Sequence, residues 1–207
     1  MGVRAAMRSD TAFRTTFALL VIGMSVIRGY YRWRTRAANR QASFKESKRQ
    51  VALHAILGLL GYLVLLLYVL APRSLAWAAL SLPAAVRWLG AGLGVVALVL
   101  LTWVHHTLGQ NFSAILHVRQ GHQLVMNGPY RWVRHPMYTV FFLFVLSWFL
   151  VSANWFLGLL WLAVVTAVVA MRVAHEEAVM LDQFGEQYRH YMQSTGRFLP
   201  RLTRRST

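Results

Sequence analysis

HQLVMNGPYRWVRHPMY, residues 122–138, combines arginines, histidines, prolines, aromatic rings and amides between two strongly apolar runs. A mixture of this kind is expelled from hydrocarbon. Gly128-Pro129 reads as a turn, and a residue before proline is pushed out of helical geometry, so His135 ends the irregular stretch while Pro136 opens a helix. The stretch is therefore expected to form an ordered, non-helical lid at a membrane surface.

Working outward, residues 137–171 form an apolar run too long for one helix, which Ser152, Ala153 and Asn154 divide into Met137 to Val151 and Trp155 to Met171. On the other side lie Trp88 to Val104, with Gly90 and Gly94 spaced for close helix approach, and Val51 to Ala71, with Gly58 and Gly61 as packing points. Thr15 to Ile27 would rise only ~20 Å and crosses if Arg14 and Arg28 snorkel to the surfaces. Tyr30, Tyr31 and Trp33, interleaved with Arg32 and Arg34, form an interfacial belt. The expected fold is all-α: a polytopic integral membrane protein with about five transmembrane helices. Residues 1–104 carry the amino-terminal helices; residues 105–207 carry a cytosolic loop, with a possible small hairpin around Gln120-Gly121, a two-helix hairpin and an amphipathic helix marked by Met180, Leu181, Phe184, Tyr188 and Tyr191.

Composition agrees with this class. Of 207 residues 57% are hydrophobic, and 22 Lys and Arg face 6 acids. The cations gather at the ends of apolar runs, where anionic lipid and the positive-inside rule account for them, so the bilayer rather than nucleic acid is the expected partner. The basic loops then face the cytoplasm. The absence of cysteine excludes disulfides, thiolate metal sites and a cysteine nucleophile. His175-Glu176 begins like a zinc motif, but Val179 stands where the second histidine is needed, so no metal is expected.

Glu176 and Glu177 are adjacent where the last apolar run ends, and Arg172 lies one helical turn before Glu176. On the membrane face of the lid they suit a cationic or zwitterionic cofactor beside an anionic substrate. Glu176 can accept from an amine or ribose hydroxyl, Tyr130, Trp132 and Tyr138 offer ring faces to a positive centre, and Arg172 can hold a carboxylate.

The segments LGQNFS (108–113), HQLVMNGPYRWVRHPMY, Arg172-x3-Glu176-Glu177, FGEQYRHY (184–191) and RFLP (197–200) occur in an order and spacing that resemble the isoprenylcysteine carboxyl methyltransferase family, in its bacterial form, and the wider phospholipid methyltransferase group. The resemblance implies a membrane enzyme that uses S-adenosylmethionine on a lipophilic or small acceptor, in a bacterial inner membrane. It assigns the cofactor to His122, Leu124, Val125, Tyr130, His135, Pro136, Met137, Tyr138 and Glu176, and the substrate to Arg172, with Arg134 and Glu177 in support. Methylation of a thiol or lipid amine, and a non-enzymatic transporter or scaffold, stay open. So does an NADPH-dependent sterol-type reductase, whose HPNYxGE pattern is broken here by Met137 and Thr139-Val140.

Overall fold

The computed structural model describes residues 3–35, 43–44, 48–109, 117–118 and 124–201. His122, the hairpin expected around Gln120-Gly121, most of LGQNFS and most of the first basic loop lie outside them. Among the described residues five α-helices carry the fold: α1 (Val3–Arg34), α2 (Lys48–Leu70), α3 (Ala84–Leu108), α4 (Pro136–Ser152) and α5 (Trp155–Ser194). Two-residue strands, Ser43–Phe44 and His117–Val118, pair antiparallel.

This is an integral membrane protein, all-α and polytopic. Its outer surface presents Leu59, Leu63, Leu66, Val95 and Val99, side chains that a bilayer covers and water would not. Among the described residues three helices are long and apolar enough to cross, Asp10–Arg34, Ala84–Leu108 and Trp155–Ser194, and a fourth crossing arises if Ala55–Leu70 and Pro72–Ala78, bent by 103°, are one broken span. The count of five is thus approximate. The shortfall is at α4, whose 17 residues rise about 26 Å against a hydrocarbon core of about 30 Å.

Small residues set the helix spacing. A Cβ at Gly90 would stand 2.5 Å from Leu150 Cβ and 3.0 Å from the Val151 nitrogen, and one at Gly94 would meet Leu20 and Ser147 at 2.6 Å. The Ser147 hydroxyl donates to Gly90 O at 2.7 Å, so α3 and α4 touch nearly backbone to backbone. Gly61 serves α2 likewise, against Trp161, whereas a Cβ at Gly58 would meet nothing within 4 Å.

Phe17 and Leu20 of α1, Leu65 of α2, Leu101 of α3, Phe144 and Trp148 of α4 and Leu157 and Trp161 of α5 fill the core. At one end Arg87 of α3 binds Asp10 of α1 at 2.9 Å and Val151 O at 3.0 Å.

The turn between α4 and α5 is as tight as expected. Ala153 takes the left-handed conformation and Asn154 caps α5 by accepting from Leu157 N at 3.0 Å. Its amide donates to Leu75 O at 2.8 Å, which fastens the turn to the short helix Pro72–Ala78. Because α4 and α5 are joined so closely, His135 at the start of α4 meets Glu176, midway along the longer α5, at the other end of the bundle.

Candidate functional site

The lid forms as its prolines require. Gly128–Arg131 is a single 3-10 turn entered by Gly128 at φ 54°, and the 2.7 Å from an ideal Cβ there to Thr107 Oγ1 leaves no room for a side chain. His135 sits at the N-cap of α4 with φ −123°, and Pro136 takes the first helical position.

Beyond Met171 the α5 helix runs on until Gly185, where φ reaches 49°, and the redirected last turns return Tyr188 and Tyr191 to the protein, where both are buried. Residues 195–201 then fold back as a strap. The Arg134 and His135 amides donate to Gly196 O at 2.8 Å and Arg197 O at 3.0 Å, and the Thr139 hydroxyl donates to Phe198 O at 2.8 Å. Tyr191 OH donates to Tyr130 O at 2.6 Å.

Lid, α5 and strap meet on the two glutamates, which occupy different environments. The Glu177 side chain is 5% exposed and receives Arg134 Nε at 3.2 Å, His135 Nε2 at 3.2 Å and Arg197, which contacts both carboxylate oxygens. Arg134 also donates to Met192 O at 3.0 Å and to Thr195 O. These bonds make Glu177 and Arg134 a tie between lid, helix and strap. Glu176 is 21% exposed; its Oε1 accepts from Tyr138 OH at 2.8 Å and Arg172 Nε at 3.2 Å, and its Oε2 lies 3.6 Å from His135 Nδ1. It is the carboxylate open to a ligand.

The structure thus brings together Arg134, His135, Tyr138, Arg172, Glu176 and Glu177. Pro136 is structural, Met137 packs partly buried against the core, and Leu124 and Val125 are half-buried at the start of the described lid. Trp132 is not in the cluster: it is half exposed and packs edge-on to Trp103 at 5.6 Å, an interfacial arrangement. The sequence reading gave Tyr191 a place only on the amphipathic stripe and Arg197 only in RFLP, three residues past the end of α5, and assigned neither of them nor the strap carbonyls to the site. Beside Tyr138, and lined by it, opens an apolar cavity of about 160 Å³ that continues past Phe141, Trp148 and Trp161.

Burial holds His135 below the ordinary imidazole pKa, outweighing the opposite pull of Glu176 and Glu177 and adding to the push of Arg134. An unfolded histidine takes a proton near pH 6.5 and the folded one only at lower pH, so the unfolded state binds more protons in between. The stability contribution of this site is complete above about pH 6.5 and falls as the pH drops toward the folded value. The difference in unfolding free energy between wild type and His135→Asn should shrink over that interval; a constant difference from pH 7.5 to 5 would remove the effect.

Residues 90–182 match the model of the isoprenylcysteine carboxyl methyltransferase family. The matched segment is just under half of the chain and is similar to that family. Similar relatives named protein-S-isoprenylcysteine O-methyltransferase occur in Schizosaccharomyces pombe (33% identity over 94 residues, 44% of this chain and 40% of the relative) and in Saccharomyces cerevisiae (30% over 97 residues, 46% and 41%). The mouse protein of that name is 29% identical over 96 residues, 45% of this chain and 34% of its own. The chain spans less than half the length of these relatives.

A solved structure of a eukaryotic intramembrane Ras methyltransferase, isoprenylcysteine carboxyl methyltransferase, shares the fold, with a TM-score of 0.55 at 22% identity over 86% of this chain and 64% of the other. The family match includes the lid, α4 and both glutamates but ends before Gly185 and the strap.

Proposed function

We propose that this protein is a membrane-embedded, S-adenosylmethionine-dependent methyltransferase whose acceptor is the carboxylate of an isoprenylcysteine-like amphiphile, with the site facing the cytoplasm. The observation that carries this reading is Glu176: a part-exposed carboxylate bonded to Tyr138 and Arg172, beside an apolar cavity that Tyr138 also lines. A polar ligand and a hydrocarbon chain can meet only at such a junction.

The donor set fits the cofactor. Glu176 offers a charged acceptor to an amine or a ribose hydroxyl, and the Tyr138 ring, 5.8 Å from that of His135, gives an aromatic face to a cation. S-adenosylmethionine supplies an activated methyl group on a sulfonium. An acceptor carboxylate is already nucleophilic and needs no strong base, so the chain's work is to orient and to exclude water. Arg172 orients the acceptor through its guanidinium fork. Arg134 and Glu177 act indirectly, by keeping lid and strap closed over His135. Leu124, Val125 and Tyr130 belong to the cofactor side of the same lid, and His122 is assigned to the cofactor by the resemblance alone.

Calorimetric titration of purified protein with S-adenosylmethionine and, separately, NADPH tests the assignment. Micromolar binding of S-adenosylmethionine that Glu176→Ala loses is expected. Binding of NADPH alone would transfer the protein to the reductases, and binding of neither would leave the enzyme reading without support.

A further inference from the structure

Among the described residues that line the apolar cavity one is charged, Arg28 of α1. Snorkelling would carry the guanidinium of such a residue out to the headgroups. Here it turns inward: it lies over the Phe141 ring at 4.7 Å from the centroid, and its Nη1 is sealed from solvent without a hydrogen-bond acceptor. A cation–π contact leaves the in-plane N–H donors of a guanidinium unsatisfied. A buried cation with an unmet donor, beside an apolar cavity, has the capacity for an anion and a chain to follow it.

Its neighbours sharpen the point. Tyr62 of α2 and Tyr138 of α4 line the same cavity, and Arg172 is near enough for its charge to act on Arg28. Tyr138 in turn bonds Glu176. A chain of contacts therefore runs from Arg28 over Phe141 and Tyr138 to the glutamate, and α1, which lies wholly outside the segment matched to the family, reaches the acceptor side of the site.

Resting on the function proposed above, we propose that Arg28 is an acceptor-positioning residue. It holds, together with Arg172, the carboxylate of an amphiphilic acid whose hydrocarbon chain occupies the cavity between α1, α2, α4 and α5, and it thereby selects acids over neutral lipids. Methylation forms a bond from a carboxylate oxygen to the methyl carbon as the methyl–sulfur bond breaks, its electron pair remaining on sulfur. The acceptor becomes a neutral ester. The charge that Arg28 grips disappears in that step, so the same residue that captures the acid favours release of the ester.

The test uses the full chain in lipid nanodiscs, with N-acetyl-S-farnesylcysteine and its methyl ester as probes and S-adenosylmethionine titrated separately. Wild type should bind the acid about tenfold or more tightly than the ester, the scale of a charge-assisted hydrogen bond. Arg28→Gln should erase that preference and leave S-adenosylmethionine affinity unchanged, and Arg28→Lys should restore part of the preference. Without ligand, Arg28→Gln should melt at the wild-type temperature or above it, because an unpartnered buried charge costs stability. The proposal is overturned if wild type binds acid and ester alike or binds neither, if Arg28→Gln keeps the preference, or if it unfolds or melts lower. Failure of S-adenosylmethionine to bind at all would instead strike the methyltransferase reading, while an Arg28-dependent preference for the acid would still assign the anion site.

Discussion

Replacing Glu177 by alanine is expected to lower the unfolding free energy by about 3 kcal/mol, the lower end for breaking a buried ion pair from one side. The side chain is 5% exposed and its partner Arg134 7%, so the guanidinium left behind cannot rehydrate without opening the lid. Arg197 is 51% exposed and recovers water readily, which keeps the loss from being larger. The contrast lies one residue away. Glu176→Ala removes an accessible carboxylate and should change stability little while removing cofactor binding. Unfolding of both variants in the same detergent decides the matter: a loss below about 1 kcal/mol for Glu177→Ala would mean that the carboxylate is not the tie.

The second large effect is on turnover. Arg172→Ala should lower the methylation rate of N-acetyl-S-farnesylcysteine on the order of 100-fold, the scale on which misplaced reactants lose rate, with S-adenosylmethionine affinity little changed. Arg172 also contacts Glu176 at 3.2 Å, so the melting temperature of the variant is measured alongside and separates loss of rate from loss of fold. Lysine should rescue poorly, since a point charge cannot reproduce the planar fork. Wild-type turnover in the alanine variant would remove Arg172 from the mechanism.

Which of these features the sequence disclosed follows from how locally each is determined. The lid, its 3-10 turn and the start of α4 depend on Gly128, Pro129 and Pro136, whose backbone preferences act within one or two residues. The pairing of Arg172 with Glu176 depends only on helical spacing. The turn at residues 152–154 likewise follows from length, because hydrocarbon sets the measure.

Other features depend on direction in space, which spacing does not contain. Arg28 has the same sequence signature whether it reaches outward to headgroups or inward over Phe141. Trp132 and Tyr138 are both aromatic residues near the lid, yet one turns to Trp103 and the other to Glu176. The role of Arg197 requires the change of course at Gly185, and an isolated glycine in an amphipathic pattern does not announce the angle it makes. The bend of 103° after Leu70 is of the same kind: Pro72 marks the break but not where the chain goes next.

The strap also divides the molecule by sequence separation. Glu177 meets Arg197 across 20 residues and Arg134 across 43, and Glu176 meets Arg172 across 4, so the loops closed by the polar cluster are short and their entropy cost is modest. The contacts between α1 and the cavity wall, such as Arg28 on Phe141, close far longer ones. The polar cluster is thereby closed within residues 134–197, as a nearly self-contained knot, while α1 and α2 supply walls to the cavity beside it. On the proposed function, a change of acceptor falls to wall residues such as Arg28 and Tyr62, with the glutamate knot left as it is.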